Sequence, residues 1–314
     1  MHIKFSKFYQ IASGRKLIIL KSDKWWEVTA NMERRIAIIA DVHGNYTAFK
    51  AVRDDIVKQQ VDECWFMGDL FMPGPGAINI WQLLESLNPT ICLRGNWDDD
   101  LIQAYDGAHS YDNETKIMIS RIGEFIGNEV GGDVIQEMAK WPITTSIQVG
   151  ALRLILNHNL PQSNSGQCLF PTNDQQKMDQ IMDPSQHYDV GIYAHVHHQL
   201  YRYTSQERLI LNPGSVGEPY DGWNLHQTNL RARYLLLTVD DGGIADLDYR
   251  RVAWDMQEER NRARNEELPY KEMYLRHLEN GRNFIHDQPF LAQINKAHNY
   301  LRDVISYSKD RKHE

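Results

Sequence analysis

Five apolar residues, Ile36-Ala37-Ile38-Ile39-Ala40, run without a polar break into Asp41-Val42-His43-Gly44-Asn45. A strand with no polar face must be covered on both sides, as the interior strands of a parallel sheet are. Asn45 then supplies a helix cap, and Phe49, Val52 and Ile56 recur behind it at the helical period. The unit repeats. Cys64-Trp65-Phe66-Met67 ends at Gly68-Asp69, with Ile78, Trp81, Leu84 and Leu87 marking the helix that follows, and Thr90-Ile91-Cys92-Leu93 ends at Arg94-Gly95-Asn96. Strands alternating with helices predict an α/β fold with a parallel sheet, whose functional groups gather in the loops at the strand C-terminal ends. All three polar strings stand at such ends.

Residues 98–140 read as an inserted helical segment, with Ile117, Ile119, Ile122 and Phe125 on one helix and Val134, Ile135 and Met138 on another. Such a segment either covers an open sheet face or borders the mouth of the site. After Pro142 the chain turns strand-rich, with expected strands at 143–149, 152–156, 190–193, 200–204, 209–211, 234–239 and 244–250. Asp240-Asp241-Gly242-Gly243 supplies the turn of a hairpin between the last two. These strands predict a second sheet packed on the first, with helices outside. Beyond Arg251 the pattern is helical to the end, and Leu291, Ile294, Ala297, Leu301 and Ile305 form an apolar stripe on the last helix. That stripe serves packing on the parent domain or association with a second copy of the chain.

The 314 residues suffice for one large domain of 32–252 and a helical C-terminal extension of 253–314. Met32, directly before the first strong strand, predicts that translation begins there naturally and that 1–31 is a loosely ordered extension. A formal net charge of −8 argues against a protein that grips long nucleic acid by its phosphates. No apolar run approaches the roughly 18 residues of a membrane span. Cys64, Cys92 and Cys168 are too few and too scattered for a disulfide framework, which predicts a reducing cytoplasm.

An acidic protein that binds a small anionic substrate needs cations to receive it, and the chain carries donors for them. Asp41 and His43 stand two apart at one strand end. His195 and His197 repeat that spacing in Ala194-His195-Val196-His197-His198, on one side of the chain with Val196 opposite. Asp69, Asn96 and His158, the last in Asn157-His158, complete a set of seven. A dinuclear hydrolase requires two ions about 3.5 to 4 Å apart, one carboxylate between them and further ligands for each, and Asp69 is the expected bridge.

This ordered set resembles the calcineurin-like metallophosphoesterase superfamily from about Arg35 to Arg251. Asn212-Pro213-Gly214-Ser215-Val216-Gly217 resembles its bacterial phosphodiesterase branch. Within that branch, Gly68-Asp69-Leu70-Phe71-Met72-Pro73-Gly74, Gly95-Asn96-Trp97-Asp98 and the C-terminal run are similar to the streptococcal asymmetrical diadenosine tetraphosphatase and phosphodiesterase group. The resemblance implies a two-sheet, four-layer αββα sandwich. It implies one ion held by Asp41, His43, Asp69 and His197 and the other by Asp69, Asn96, His158 and His195. Mixed carboxylate, carboxamide and imidazole donors suit manganese, iron or zinc better than magnesium or calcium. The implied reaction is in-line attack of metal-activated water on phosphorus in a small phosphorylated substrate such as a nucleotide. A weakly catalytic binding module on the same fold is the alternative.

Two positions depart from the family's pattern. Ala194 stands where glycine is usual, and Trp97 stands where a histidine often follows the Gly-Asn pair to assist the leaving group. A tryptophan cannot transfer a proton, so the expectation shifts toward diesters and phosphoanhydrides, whose leaving groups need less acid assistance. Asp98 and His198 are the side chains that could partly substitute as acids. Asn45 and Trp97 are the expected substrate contacts, Trp97 through stacking on a nucleobase.

Overall fold

The computed structural model describes residues 17–21, 24–28, 33–223 and 225–312. The remainder of the expected 1–31 extension lies outside the described residues. The described part of that extension, β1 (Leu17–Lys21) and β2 (Lys24–Val28), pairs antiparallel as a two-stranded sheet of its own.

The first large sheet takes its parallel interior from the repeated unit: β3 (Arg34–Ile39), α1 (Tyr46–Gln59), β4 (Glu63–Phe66), α2 (Ala77–Ser86) and β5 (Ile91–Cys92). Helices α3 (Asn96–Tyr105), α4 (Glu114–Val130) and α5 (Gly132–Ala139) follow. Next come β6 (Thr144–Val149), β7 (Leu152–Asn157), the one-turn α6 (Gln175–Met178), β8 (Val190–Ile192), β9 (Gln199–Tyr203) and β10 (Leu209–Pro213). The hairpin of β11 (Ala232–Asp240) and β12 (Gly243–Val252) returns to the first sheet and docks antiparallel on β3. The strand orders are β12-β11-β3-β4-β5 and β6-β7-β8-β10-β9. Both sheets are therefore mixed, and the expected parallel arrangement holds within β3-β4-β5.

The period-2 alternation of strand side chains explains why two sheets stack. Ile36, Ile38, Trp65, Leu235 and Leu237 face Leu154, Leu156, Val190, Ile192 and Leu211 in the seam between the sheets. Ala37, Ile39, Cys64, Phe66 and Leu236 point the other way, beneath Phe49 and Val52 of α1, Ile80 of α2 and Met118, Ile122 and Ile126 of α4. The inserted segment thus covers this outer face, and its first helix begins at Asn96. The outer face of the second sheet, around Ile155 and Ile210, lies under Leu169, Met178, Ile181 and Met182. This fourth layer is mostly irregular chain, thinner than the expected helices, because Pro161, Pro171 and Pro184 punctuate it.

The C-terminal extension forms α7 (Met256–Asn265), α8 (Lys271–Asn280), α9 (Gln288–His298) and α10 (Tyr300–Arg311). The apolar stripe does not lie on one helix, because Asn299 takes a left-handed conformation and ends α9. Leu291 is fully buried, whereas Leu301 on α10 is 42% exposed. Val304 and Ser308 form the buried side of α10, with the Ser308 hydroxyl donating to the Gly107 carbonyl at 2.6 Å. The extension also grips the start of α1, the helix that follows the Asp41–His43 loop. Buried Glu259 accepts from the Thr47 backbone N–H (3.0 Å), the Thr47 hydroxyl (2.6 Å) and the Tyr274 hydroxyl (3.0 Å). Among the described residues no helix is long and apolar enough to cross a membrane.

Candidate metal centre

Seven side chains leave the ends of five strands, and the aspartates and histidines among them meet across the seam. Asp41 and His43 follow β3, Asp69 follows β4, Asn96 follows β5, His158 follows β7, and His195 and His197 follow β8. Five of them, Asp41 (φ 54°), His43 (49°), Asp69 (60°), His195 (66°) and His197 (59°), sit in the left-handed region. Each such non-glycine residue costs about 1–2 kcal/mol, so the surroundings must hold it there. They do so by lacing the loops together. The backbone N–H groups of Asp41, Val42 and His43 donate to the carbonyls of Gly68 (3.0 Å) and Asp69 (2.8 and 3.1 Å). The Ser215 hydroxyl and the Gly217 N–H both donate to the Asp41 carbonyl, at 2.7 and 3.0 Å. Gly95 permits a close approach, since a Cβ there would sit 2.0 Å from Asp69 Oδ1.

The imidazole orientations are set from behind by carbonyl oxygens. Nδ1–H donates from His43 to Met72 (2.8 Å), from His158 to Met67 (2.7 Å) and from His197 to Glu218 (2.6 Å). Nε2–H of His195 donates to Gly166 at 3.0 Å. In the neutral ring, a carbonyl partner fixes the tautomer and leaves the opposite nitrogen with a free lone pair. Those nitrogens and the carboxylates fall into two groups, Asp41-His43-His197 and Asp69-His158-His195, with the donor atoms of each group within 4.8 Å of one another. Asp69 joins the groups. Its Oδ1 accepts from the Trp97 N–H (2.9 Å), while Oδ2 lies 3.8 Å from His43 Nε2 and 3.3 Å from His158 Nε2.

The donor set fits cations and is poorly satisfied without them. Both carboxylate oxygens of Asp41 and Oδ1 of Asn96 are buried with no hydrogen-bond donor, against the rule that buried acceptors are paired. His43 Nε2 and His197 Nε2 face each other at 3.1 Å, two lone pairs in conflict unless a proton or a metal ion intervenes.

The electrostatics report the same frustration. Burial pushes the Asp41 carboxyl up to about 7, with Asp69 adding to the effect. Burial also opposes the ionisation of Asp69, but the facing histidines, His158 first, outweigh it and hold that carboxyl well below the usual range. His158 is held up to about 10: burial works against its charged form, and the Asp69 carboxylate overrides it. Burial pushes His195 down to about 4 and His197 well below its ordinary value, helped by the neighbouring histidines.

A consequence follows for metal-free protein. The raised Asp41 contributes stability that is fully present below the unfolded value near 3.8 and is lost as pH rises through about 7. Metal binding requires the deprotonated forms of Asp41 and His158, so affinity moves in the opposite sense. Titration with manganese at pH 7 is expected to release about one proton or more per chain, read from binding enthalpies in buffers of different ionisation enthalpy. Zero proton release would contradict the placement of cations here.

The four residues expected to touch substrate or move protons make other contacts in the structure. Asn45 is fully buried: its Oδ1 accepts from Ala48 N–H (3.0 Å) as the cap of α1, and its Nδ2 donates to the Gly217 carbonyl (3.2 Å). Trp97 is only 8% exposed and packs edge-on against His43 with ring centroids 5.7 Å apart, as a wall. Asp98, also buried, accepts from the backbone N–H groups of Asp69 (2.8 Å), Leu70 (3.0 Å) and Gly95 (2.8 Å). It positions two donor loops. His198 donates through Nδ1 to the Val196 carbonyl (2.6 Å), and burial lowers its basicity. The orienting carbonyls of Met67, Met72, Gly166 and Glu218 left no mark in the sequence, because any residue type has one. The role of Ser215 had a signal, the Asn212-Pro213-Gly214-Ser215 string.

A two-sheet sandwich with paired aspartate and histidine clusters across its strand ends defines the class of metal-dependent phosphoesterases. The chain belongs to the calcineurin-like phosphoesterase superfamily, whose domain profile matches residues 34–242, and it is a hydrolase of that class. An uncharacterized protein of Methanocaldococcus jannaschii is 26% identical, over 60% of this chain and 79% of its own length. The crystal structure of a metallophosphoesterase from Sphaerobacter thermophilus shares the fold, with a TM-score of 0.59 and 22% identity over 79% of this chain and all of that one. A symmetrical bis(5'-nucleosyl)-tetraphosphatase of Serratia proteamaculans is 33% identical over 22% of this chain, which spans only a quarter of that relative's length.

Proposed function

We propose that the protein is a cytoplasmic two-metal hydrolase of phosphodiester and phosphoanhydride bonds in small nucleotide-like substrates, cleaving diadenosine tetraphosphate asymmetrically. In this reading Asp41, His43, Asp69 and His197 hold one ion, and Asp69, Asn96, His158 and His195 hold the other. Manganese, iron or zinc suits such donors. The observation that carries the reading is the Asp41 carboxylate, fully buried with both oxygens lacking a donor. Bound there, the ions would neutralise phosphoryl oxygens and lower the pKa of water.

The chain's own residues narrow the substrate. Trp97 cannot titrate, the Asp98 oxygens are taken by backbone N–H groups, and His198 stays neutral near pH 7. With no side chain among these supplying an acid, leaving groups that depart as stable anions are favoured, and in a dinucleoside polyphosphate the departing group is itself a phosphate. The resemblance of the Gly68–Gly74 and Gly95–Asp98 strings supports asymmetrical cleavage, whereas the Serratia relative carries the symmetrical name.

The test is a panel of monoesters, diesters, cyclic nucleotides and dinucleoside polyphosphates, run with manganese and with products resolved. AMP plus ATP from diadenosine tetraphosphate is the expected pair. Two molecules of ADP would replace asymmetrical with symmetrical cleavage. No turnover of bis(p-nitrophenyl) phosphate or of any nucleotide would leave the binding-module alternative.

A further inference from the structure

With Trp97 walled in, a nucleobase needs another ring to lie on. Two segments that orient the candidate ligands run on into aromatic residues. Gly166, whose carbonyl holds His195, precedes Phe170, and Glu218, whose carbonyl holds His197, precedes Tyr220. Both rings pack against His198, with centroids 5.2 Å from Phe170 to His198 and 5.0 Å from His198 to Tyr220, both edge-to-face. Tyr220 is the most open of the three at 38% exposure. Its backbone N–H reaches the His197 carbonyl at 3.5 Å, so the ring starts beside a candidate ligand.

The loop bearing this ring is fixed from below. Arg233 on β11 is 1% exposed, donates to the Tyr220 carbonyl at 3.1 Å and pairs with the Asp221 carboxylate. Burying a guanidinium carries a desolvation cost, and here its return is the rigid placement of Tyr220 and Asp221. A rigid, partly exposed tyrosine offers contact area at low entropic cost. We infer that Tyr220, backed by His198 and Phe170, is the platform on which the base of a nucleotide stacks while its phosphoryl group lies at the Asp41–Asp69 cluster. The inference rests on the proposed phosphohydrolase reading, and it adds the residue that selects nucleotides over bare phosphate.

Calorimetric titration of the manganese-loaded full chain with AMP and with inorganic phosphate tests it without relying on turnover. Wild-type protein is expected to bind AMP at least about fivefold more tightly than phosphate, the low end for one stacked base. Tyr220→Leu is expected to erase that ratio, and Tyr220→Phe and Tyr220→Trp to keep it. Equal affinities in the wild type, a ratio preserved in Tyr220→Leu, or a ratio lost in Tyr220→Phe as well would overturn the platform. So would a ratio kept in Tyr220→Leu but lost in Trp223→Leu, which removes the 62% exposed ring three residues further along the same loop. A manganese-dependent melting shift retained by Tyr220→Leu shows that the variant is folded. Absent turnover of bis(p-nitrophenyl) phosphate with an intact AMP preference defeats the catalytic reading alone, while turnover with no AMP preference defeats the platform alone.

Discussion

Asp69→Asn is expected to lower kcat/KM by about a thousandfold or more and to abolish the rise in melting temperature that manganese gives the wild type. Asp69 Oδ2 is the atom that reaches both donor groups, 3.8 Å from His43 Nε2 and 3.3 Å from His158 Nε2. Removing its charge weakens both ion positions at once. Loss of several kcal/mol of transition-state charge stabilisation corresponds to about three powers of ten in rate. The metal-free variant is expected to be less stable than metal-free wild type by up to about 3–5 kcal/mol, since removing one charge of a buried pair is costly until His158 gives up its proton. Asparagine Oδ1 still accepts from the Trp97 N–H, and its new amide can donate to the His158 lone pair once that ring loses its proton. Kinetics with manganese, paired with melting curves with and without it, separate the two effects. Activity within tenfold of wild type and an intact manganese shift would move the bridge to another residue.

Asp98→Ala is expected to damage the fold itself. Three buried backbone N–H groups, of Asp69, Leu70 and Gly95, would lose their common acceptor, at about 1–3 kcal/mol each. The expected destabilisation is about 4–6 kcal/mol, or a fall of about 10 °C or more in Tm. Denaturant and thermal melts of the metal-free protein measure it. Activity falls too, because the Asp69 turn and the start of α3 are fixed through this carboxylate. A variant with unchanged Tm that has lost only one limb of its pH–rate profile would instead assign Asp98 to proton transfer.

Much of the framework was legible because each signal was local. The run from Ile36 to Ala40 is apolar on both faces, so it had to lie between layers, and the strings at the strand ends kept their order in space. The gathering of Asp41, His43, Asp69, His158, His195 and His197 followed from that order. What escaped depends on partners distant in the chain. The Asn45 amide answers to Gly217, and the Asp98 carboxylate to Asp69 and Leu70. Trp97 faces His43, and its burial follows from the packing of α3 under the site. The split between α9 and α10 hung on one asparagine whose positive φ no periodicity reveals. The sheet to which the last hairpin returns was equally invisible, since both sheets offer an apolar face of the same period.

The candidate ligands come from both halves of the sandwich: Asp41, His43, Asp69 and Asn96 from the first sheet, and His158, His195 and His197 from the second. In the proposed assignment neither half holds a complete ligand set, so cations bound there would rivet the two sheets together as well as serve as reagents, and breathing of the sandwich along its seam would loosen them.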